Sequence, residues 1–188
     1  MNTKPAALLV TAMLCVTLPI LFDVKPAVAQ IEPDSYPVDT FDMSGQQSEY
    51  DCLVEAIYYE AGNQPFVGKV AVAQVVVNRV NSRHYPDTVC DVVHEGPISQ
   101  WWWDNHRRVV PIKHKCQFSY YCDGKDEEAY ESKSWSDSEH AAILVLRNTM
   151  LKDVTSGATH YHADYVEPWW AKKLIRTVTI ENHLFFKR

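Results

Sequence analysis

A glutamate lies on the apolar face of a predicted helix. Glu60 continues, at helical spacing, a row of three apolar side chains: Leu53, Ala56 and Ile57. A carboxyl group among apolar neighbours is costly to ionise, and the negative end of the helix dipole adds to that cost. Both effects raise its pKa, so the pattern predicts a general acid. The alternative is a side chain that reaches solvent at the helix end or pairs with Arg79.

Two histidines and an aspartate near the C-terminus form a rival candidate. His160, His162 and Asp164 occupy alternate positions, and alternate side chains of a β-strand project to the same side. Such a group can bind a metal ion that activates water, as in a metal-dependent amidase. The alternative is that the histidines form local hydrogen bonds or line a polar groove. No metal or other cofactor is expected.

Clustered aromatic side chains offer flat surfaces to a ligand. They occur in three runs: Trp101–Trp103, Tyr120–Tyr121 and Trp169–Trp170. Flat rings with a polar edge suit sugar faces and protein partners, although many of them serve the core. Four basic residues follow the three tryptophans: Arg107, Arg108, Lys113 and Lys115. This strip either holds an anionic polymer or is a solvated loop.

The elements that position these residues run from helices to strands. One helix from Ser48 to Gly62 carries Glu60. The valine-rich run at 65–81 is predicted as a buried helix because it is long for a strand. The other expectations are, in order, a loop at 95–115, a strand or hairpin at 116–122, a helix at 137–151, a strand at 157–161, a helical turn at 168–172 and a hairpin at 174–188. This order, without a βαβ rhythm, predicts an α+β domain.

The 188-residue chain divides into three parts. A basic start, an apolar run and the Ala-Val-Ala ending predict a signal peptide at 1–29, with an uncleaved anchor as the alternative. Residues 30–47 are polar and proline-containing, which is typical of a flexible linker. Residues 48–188 form the domain, which is expected to be exported and monomeric. No later stretch is apolar for long enough to insert stably in a membrane.

Composition and charge exclude two classes of protein. The chain is 46% hydrophobic, which is enough to form a core and excludes a wholly disordered protein. Its formal net charge is −6. Binding to nucleic acid requires a basic face, so no nucleic-acid partner is expected.

Four cysteines remain after the predicted signal peptide: Cys52, Cys90, Cys116 and Cys122. An even number in an exported chain indicates disulfide bonds, and four cysteines allow three pairings. Cys116 and Cys122 are near enough in sequence to close a short loop, which leaves Cys52 with Cys90. Sequence alone does not fix the pairing, and a zinc site held by all four thiolates is the alternative.

Four stretches in order resemble cell wall hydrolases of the spore cortex-lytic enzyme type. They are LVEAIYYEAGNQPFVGKVAVAQVVVNRV, YPDTVCDVV, CQFSYYCDGK and GATHYHADYVEPWWA. The resemblance runs from about Cys52 to Arg188, nearly all of the predicted domain. It implies a lysozyme-like α+β fold, with helices in the N-terminal part and a small antiparallel sheet in the C-terminal part. It also implies peptidoglycan as the partner.

The same resemblance implies a reaction. The family's catalytic glutamate, in its Y-x-E-A-R-G-E-P motif, falls on Glu60, the residue that the helix pattern selects independently. The implied reaction is lytic transglycosylation between N-acetylmuramic acid and N-acetylglucosamine, with one glutamate as acid and then base. The substrate-binding residues expected in the groove are Gln117, Ser119, Tyr161, His162 and Trp169.

This chain departs from the family pattern in two places. Gly62, Asn63 and Gln64 replace the usual Arg-Gly-Glu, so a second acid there is an amide. That replacement favours a mechanism with one glutamate, or it indicates altered activity. The loop at 96–115 is longer than the common pattern. Two other functions stay open: a metal-dependent amidase that uses the histidine cluster, and a wall-binding module without activity.

Overall fold

The computed structural model of this chain describes residues 47–125, 132–147 and 152–188. The predicted signal peptide and the predicted linker up to residue 46 lie outside the described residues. Within them the helices are α1 (Gln47–Ala61), α2 (Phe66–Val80), α3 (Val89–Val93), α4 (Gln100–His106) and α5 (Lys133–Arg147). The strands are β1 (His160–Ala163), β2 (Ile175–Ile180) and β3 (His183–Lys187). The predicted α+β order, with helices first and a small sheet last, is confirmed.

Helix α2 lies at the centre of the molecule and is apolar on nearly all sides. One face, which includes Val70 and Val76, joins the core formed with α1, α3 and α5. Another face, which includes Val67 and Val75, packs against Phe185 of the sheet. A helix buried on both faces needs apolar side chains around its circumference. This explains a valine-rich run that has no polar stripe.

The three strands form one antiparallel sheet in the order β1-β3-β2. β2 and β3 form the predicted C-terminal hairpin, and β1 pairs with the other side of β3. β1 is therefore an edge strand, with one side free of strand pairing. Tyr161 is opposite Phe185 in this register, and His160 is opposite Phe186.

Two polar side chains of α2 fasten the segment that leads into the sheet. The side-chain oxygen of Gln74 accepts a hydrogen bond from the backbone of Val154 at 2.8 Å. The amide of Asn78 donates to the carboxylate of Asp153 at 3.1 Å and to the carbonyl of Ala158 at 3.0 Å. Since buried polar groups are costly without partners, these two residues fix the position at which β1 begins.

Two short segments differ from the prediction. Residues 116–122 form a 3₁₀ turn at Ser119–Cys122 rather than a strand or hairpin, because the Cys116–Cys122 bond closes a span too short for two paired strands. β1 begins at His160 rather than at residue 157. There the Asp153 carboxylate accepts backbone hydrogen bonds from Thr155 and Gly157 and holds a turn.

The predicted loop at 95–115 contains α4. Its side chains are never buried, so it lacks the apolar periodicity by which a helix is recognised in sequence. α3 was also not predicted, although its start carries a capping signal: Thr88 accepts a hydrogen bond from the backbone of Asp91.

Two helix boundaries shift. The described part of α1 begins at Gln47, so Ser48 lies inside it rather than capping it. α5 begins at Lys133 rather than at residue 137, and the predicted end of that helix at 151 lies outside the described residues. No helix in the described ranges has the length and apolarity needed to cross a membrane.

Candidate active site

Glu60 lies in the last turn of α1, at the junction of the helices and the sheet. Its carboxylate accepts a hydrogen bond from the Tyr161 hydroxyl at 3.1 Å and another from the backbone amide of Ser119. Burial raises the pKa of Glu60. The two hydrogen bonds and the positive charge of Arg79 oppose that rise without cancelling it. The carboxyl group therefore holds its proton to a higher pH than an exposed glutamate does.

Arg79 is buried beside the site without an ion pair to Glu60 among the bridges of the described residues. Its Nε donates to the carbonyl of Thr159 at 2.8 Å. Its guanidinium lies 5.4 Å from the ring centres of both Tyr85 and Phe118. Such cation–π contacts hold a charged group in place with little water. Arg79 therefore acts on Glu60 through its charge and ties α2 to the segments on either side of the site.

A cleft of about 900 Å³ opens in front of Glu60. Its lining includes five of the residues singled out in the sequence: Glu60, Gln117, Tyr161, His162 and Trp169. Ser119 is different, because its side chain is exposed and does not line the cleft. Only its backbone amide reaches Glu60, so the expected sugar contact from its hydroxyl has no support in the geometry.

Glu60 is the only carboxylate among the described residues that line this cleft. Gln64, at the place where the family pattern has a second acid, does not line the cleft, and its amide donates to Asn63 at 3.2 Å. A Cβ at Gly62 would lie 2.5 Å from the carbonyl oxygen of Tyr58. This backbone has no room for the usual arginine, so the departure from the family pattern is built into the end of α1.

The histidines of β1 face a tryptophan. The rings of His160 and His162 lie 5.3 Å and 5.6 Å from that of Trp170. Nε2 of His160 is 3.3 Å from the Tyr85 hydroxyl, and Nδ1 of His162 is 2.8 Å from the carbonyl of Ala163. No cluster of three or more potential metal ligands occurs in the described part of the chain. The two histidines thus lie on the same side of β1, as the alternation predicts. Their ring nitrogens contact Tyr85 and the carbonyl of Ala163.

The environment of His160 keeps its ring neutral. Burial, together with the charges of Arg79 and Arg188, lowers the pKa of His160 to about 4. Tyr161 projects to the other side of the strand, toward Glu60, and burial raises the pKa of its hydroxyl well above the ordinary value. β1 therefore presents a neutral imidazole on one side and a proton-bearing phenol on the other.

The structure adds residues to the site that the sequence did not single out. His183 is buried beside Tyr161, with 5.3 Å between ring centres, and burial lowers its pKa. Tyr165 is 81% exposed at the cleft rim. Both come to the site through the turn and the strand pairing that follow β1. A strand register is a tertiary property, so no local signal marks either residue.

The disulfides join Cys52 to Cys90 and Cys116 to Cys122. The first links α1 to α3 inside the helical part. The second flanks the 3₁₀ turn whose Ser119 amide reaches Glu60. One bond therefore belongs to the scaffold and the other to the wall of the site.

Several known proteins are similar to this chain. A spore cortex-lytic enzyme of Oceanobacillus iheyensis is 45% identical over 49 residues, which are 26% of this chain and 18% of that protein. One from Bacillus subtilis is 44% identical over 43 residues, which are 23% of this chain and 14% of that protein. The matched stretches thus cover less than a fifth of these relatives.

Two solved structures also match. The catalytic domain of the SleB protein of Bacillus cereus aligns over 76% of this chain and 91% of its own, with 24% identity and a TM-score of 0.48. The catalytic domain of the germination-specific lytic transglycosylase SleB of Bacillus anthracis aligns over 81% of this chain and 100% of its own, with 24% identity and a TM-score of 0.49.

The model of the cell wall hydrolase family matches residues 63–186. This range begins just after Glu60 and includes Arg79, Gln117, Tyr161 and all other residues that line the cleft except Arg188. It covers more than half of the chain. The chain belongs to the cell wall hydrolase family.

Proposed function

We propose that this domain is an exported lytic transglycosylase that cleaves the glycan strand of peptidoglycan, with Glu60 as the catalytic acid and base. The observation that carries the proposal is that Glu60 is the one acidic side chain among the described residues that line the cleft, and that burial raises its pKa. Membership of the cell wall hydrolase family and the spore cortex-lytic relatives support peptidoglycan as the substrate.

The first step uses the protonated form of Glu60. Its proton passes to the oxygen that joins N-acetylmuramic acid to N-acetylglucosamine as the bond from C1 to that oxygen breaks. The N-acetylglucosamine side leaves with a free hydroxyl, and Glu60 is left as a carboxylate. Tyr161 and the Ser119 amide donate hydrogen bonds to it, which stabilises the charge that has just formed.

The second step uses the carboxylate as a base. Glu60 accepts the proton of the 6-hydroxyl of the muramic acid residue as the oxygen of that hydroxyl bonds to C1. The product carries a 1,6-anhydro ring, no water is consumed, and Glu60 is protonated again. A hydrolase with two carboxylates needs a second acid near the bond. In the described residues the cleft offers none.

The remaining cleft residues suit a sugar polymer. Trp169 is 74% exposed at the rim, with the Lys173 ammonium 4.6 Å from its ring centre. A flat exposed ring can stack on a sugar face. Gln117 and His162 supply polar groups for N-acetyl and hydroxyl groups. We assign sugar binding to these three side chains and to the hydroxyl of Tyr161.

Export of the enzyme is part of the proposal. The predicted signal peptide at 1–29 and two disulfides both fit an oxidising compartment outside the cytoplasm. Peptidoglycan is found there, so enzyme and substrate meet in the periplasm or at the wall. We expect the domain to act as a monomer without a cofactor.

The test is mass spectrometry of the soluble products after the purified protein is incubated with purified sacculi. We expect anhydro-muropeptides from the wild type and a loss of about 10²–10⁴-fold in rate for Glu60→Gln, because an amide cannot exchange the proton. Glu55→Gln is the matched control, since Glu55 lies on the same helix outside the cleft, and it should retain activity.

Other outcomes would contradict the proposal in distinct ways. Reducing-end sugars would show hydrolysis, and free stem peptides that disappear with a chelator would show a metal-dependent amidase. Sacculi bound without any release would show a wall-binding module. Full turnover by a folded Glu60→Gln variant would remove Glu60 from the mechanism.

A further inference from the structure

Residues 97–115 form an arm that projects from the fold and carries α4. The arm is closed at its base by backbone hydrogen bonds from Ser99 to Val110 at 2.8 Å and from Ile112 to Pro97 at 2.9 Å. Within α4 the side chain of Gln100 donates to Asp104 at 2.8 Å. These local bonds give the arm a defined shape of its own.

The arm exposes aromatic rings that the core does not use. α4 contains three consecutive tryptophans and no buried residue. Trp101 is 58% exposed and Trp103 is 39% exposed. Large aromatic side chains are normally buried or bound to a partner, so a short helix made of them and left outside the core indicates a ligand surface.

Positive charges lie beside these rings. The guanidinium of Arg107 is 5.7 Å from the ring centre of Trp103, and that of Arg108 is 5.9 Å from Trp102. Arg107 has a φ of 52°, a left-handed conformation in which glycine or asparagine is more usual. With Lys113 and Lys115, the arm carries four cations and one carboxylate in a chain of net charge −6.

A second cavity lies at the base of the arm and shares one lining residue with the cleft. It has a volume of about 480 Å³ and lies between the two ends of the arm, lined by Pro97 and Lys115. Gln117 lines both this cavity and the cleft of Glu60. Glu95 lines the cavity too, and one of its carboxylate oxygens has no hydrogen-bond partner among the described residues. Its oxygen and the Lys115 ammonium are an acceptor and a donor for sugar hydroxyls.

We infer that the arm and this second cavity extend the cleft and bind further sugars of the same strand. The tryptophan rings would stack on sugar faces, and the cations would meet the carboxylates of the peptides attached to the strand. The identity of the ligand rests on the proposed function. Because Gln117 lines both cavities, they are neighbours, and this favours the strand held in the cleft over a separate partner.

The experiment measures binding to sacculi without turnover. The purified Glu60→Gln protein is mixed with purified sacculi, and the bound fraction is measured by co-sedimentation over a range of protein concentrations. Adding Trp101→Ala and Trp103→Ala should weaken binding about tenfold, from the loss of two stacking contacts. The matched control is Ile175→Ala, which removes an exposed apolar side chain outside both cavities.

Two further measurements separate stacking on the strand from other roles. Trp101→Phe with Trp103→Phe should restore most of the binding, because a flat ring remains. In the active protein, the two alanine changes should raise KM on sacculi about tenfold and leave kcat nearly unchanged. The rate on a soluble disaccharide-repeat fragment that fills only the cleft should also stay nearly unchanged.

Unchanged sacculus binding in the folded double alanine variant would overturn the inference. The inference would also be overturned if the protein sedimented with phosphatidylglycerol vesicles, but not with sacculi, in a way that depends on the two tryptophans. The arm would then be a membrane-binding surface. These results are separate from the proposed chemistry. If the protein binds sacculi through the arm but releases no product, the inference about the arm stands and the proposed transglycosylase reaction fails.

Discussion

The helical half and the sheet half of this molecule differ in how completely they bury their side chains. In α2, twelve of fifteen residues are buried. In β1 every residue is partly exposed, and in β2 only Ile180 is buried. Apart from the exposed α4, the helical half is therefore a scaffold built around a buried α2. The sheet half is open at β1 and β2, and only its central strand β3 is mostly buried.

Glu60 lies where the two halves meet, and this explains its chemistry. The scaffold supplies the apolar surroundings that raise its pKa. The sheet half supplies the Tyr161 hydroxyl. The 3₁₀ turn, which packs with the helices, supplies the Ser119 amide, and both donors stabilise the carboxylate. A glutamate wholly inside the scaffold would never ionise, and one wholly in the open half would not hold its proton. The junction permits both states that an acid and base must adopt.

The largest expected difference between the halves is in stability. Ile57 is fully buried in α1, and Ile57→Ala should lower the free energy of unfolding by about 2–5 kcal/mol because it leaves a cavity. Trp169 is 74% exposed, and Trp169→Ala should change that free energy by less than about 0.5 kcal/mol and weaken binding to sacculi instead. Denaturation by urea and co-sedimentation check the pair. Equal losses of stability in the two variants would contradict this difference between the halves.

The two disulfides should likewise differ in how much they contribute to stability and to activity. Cys52 and Cys90 are 38 residues apart, and Cys116 and Cys122 are 6 apart. Loop-closure entropy then gives about 4 kcal/mol of stability for the first bond and about 2 kcal/mol for the second. Alanine at both members of each pair, followed by denaturation and turnover, tests this. We expect the scaffold pair to cost more stability and the pair beside Ser119 to cost more activity; the reverse pattern would contradict it.

The smallest expected effect is a shift of the pH profile in Tyr161→Phe. The Tyr161 hydroxyl lowers the pKa of Glu60 by bonding its carboxylate, so its removal raises that pKa. The first step needs the protonated acid, and activity falls as pH rises through this pKa. The alkaline limb of kcat/KM should therefore move to higher pH. Tyr165→Phe, at the cleft rim, is the control and should leave the limb in place. A move to lower pH would contradict the assignment.

Much of the fold follows from patterns along the chain. The 3.6-residue period located α1 and placed Glu60 on its apolar face, and alternation located the hairpin of β2 and β3. α4 was missed because a helix without a buried face leaves no period in the sequence. The aromatic residues at 116–122 favour a strand or hairpin by propensity, whereas the structure has a 3₁₀ turn at Ser119–Cys122 inside the loop that the disulfide closes.

The residues of the site likewise fall into those that a local sequence pattern marks and those that only the tertiary structure brings to the cleft. Glu60 stands in a helical apolar pattern and Trp169 in a pair of aromatic residues, so the sequence could single them out, whereas Tyr161 was expected in the groove only through the family resemblance. His183 and Tyr165 reach the cleft through the strand register and the turn after β1. The sugar-binding role expected of the Ser119 hydroxyl stays a prediction without support from the geometry, since the 3₁₀ turn brings its backbone amide to Glu60 and leaves the side chain exposed. The local backbone conformation thus decides whether the amide or the side chain of a residue faces the site.

The most direct test of this account is the titration of Glu60 itself. Glutamate carboxyl groups labelled for nuclear magnetic resonance are followed with pH in the wild type and in Glu60→Gln, which identifies the signal by its loss. The account predicts that this one signal titrates above the ordinary pKa of 4.5, in a folded protein. A signal that titrates at or below 4.5 would show an ordinary exposed or ion-paired carboxylate and would contradict the role of Glu60 as the acid.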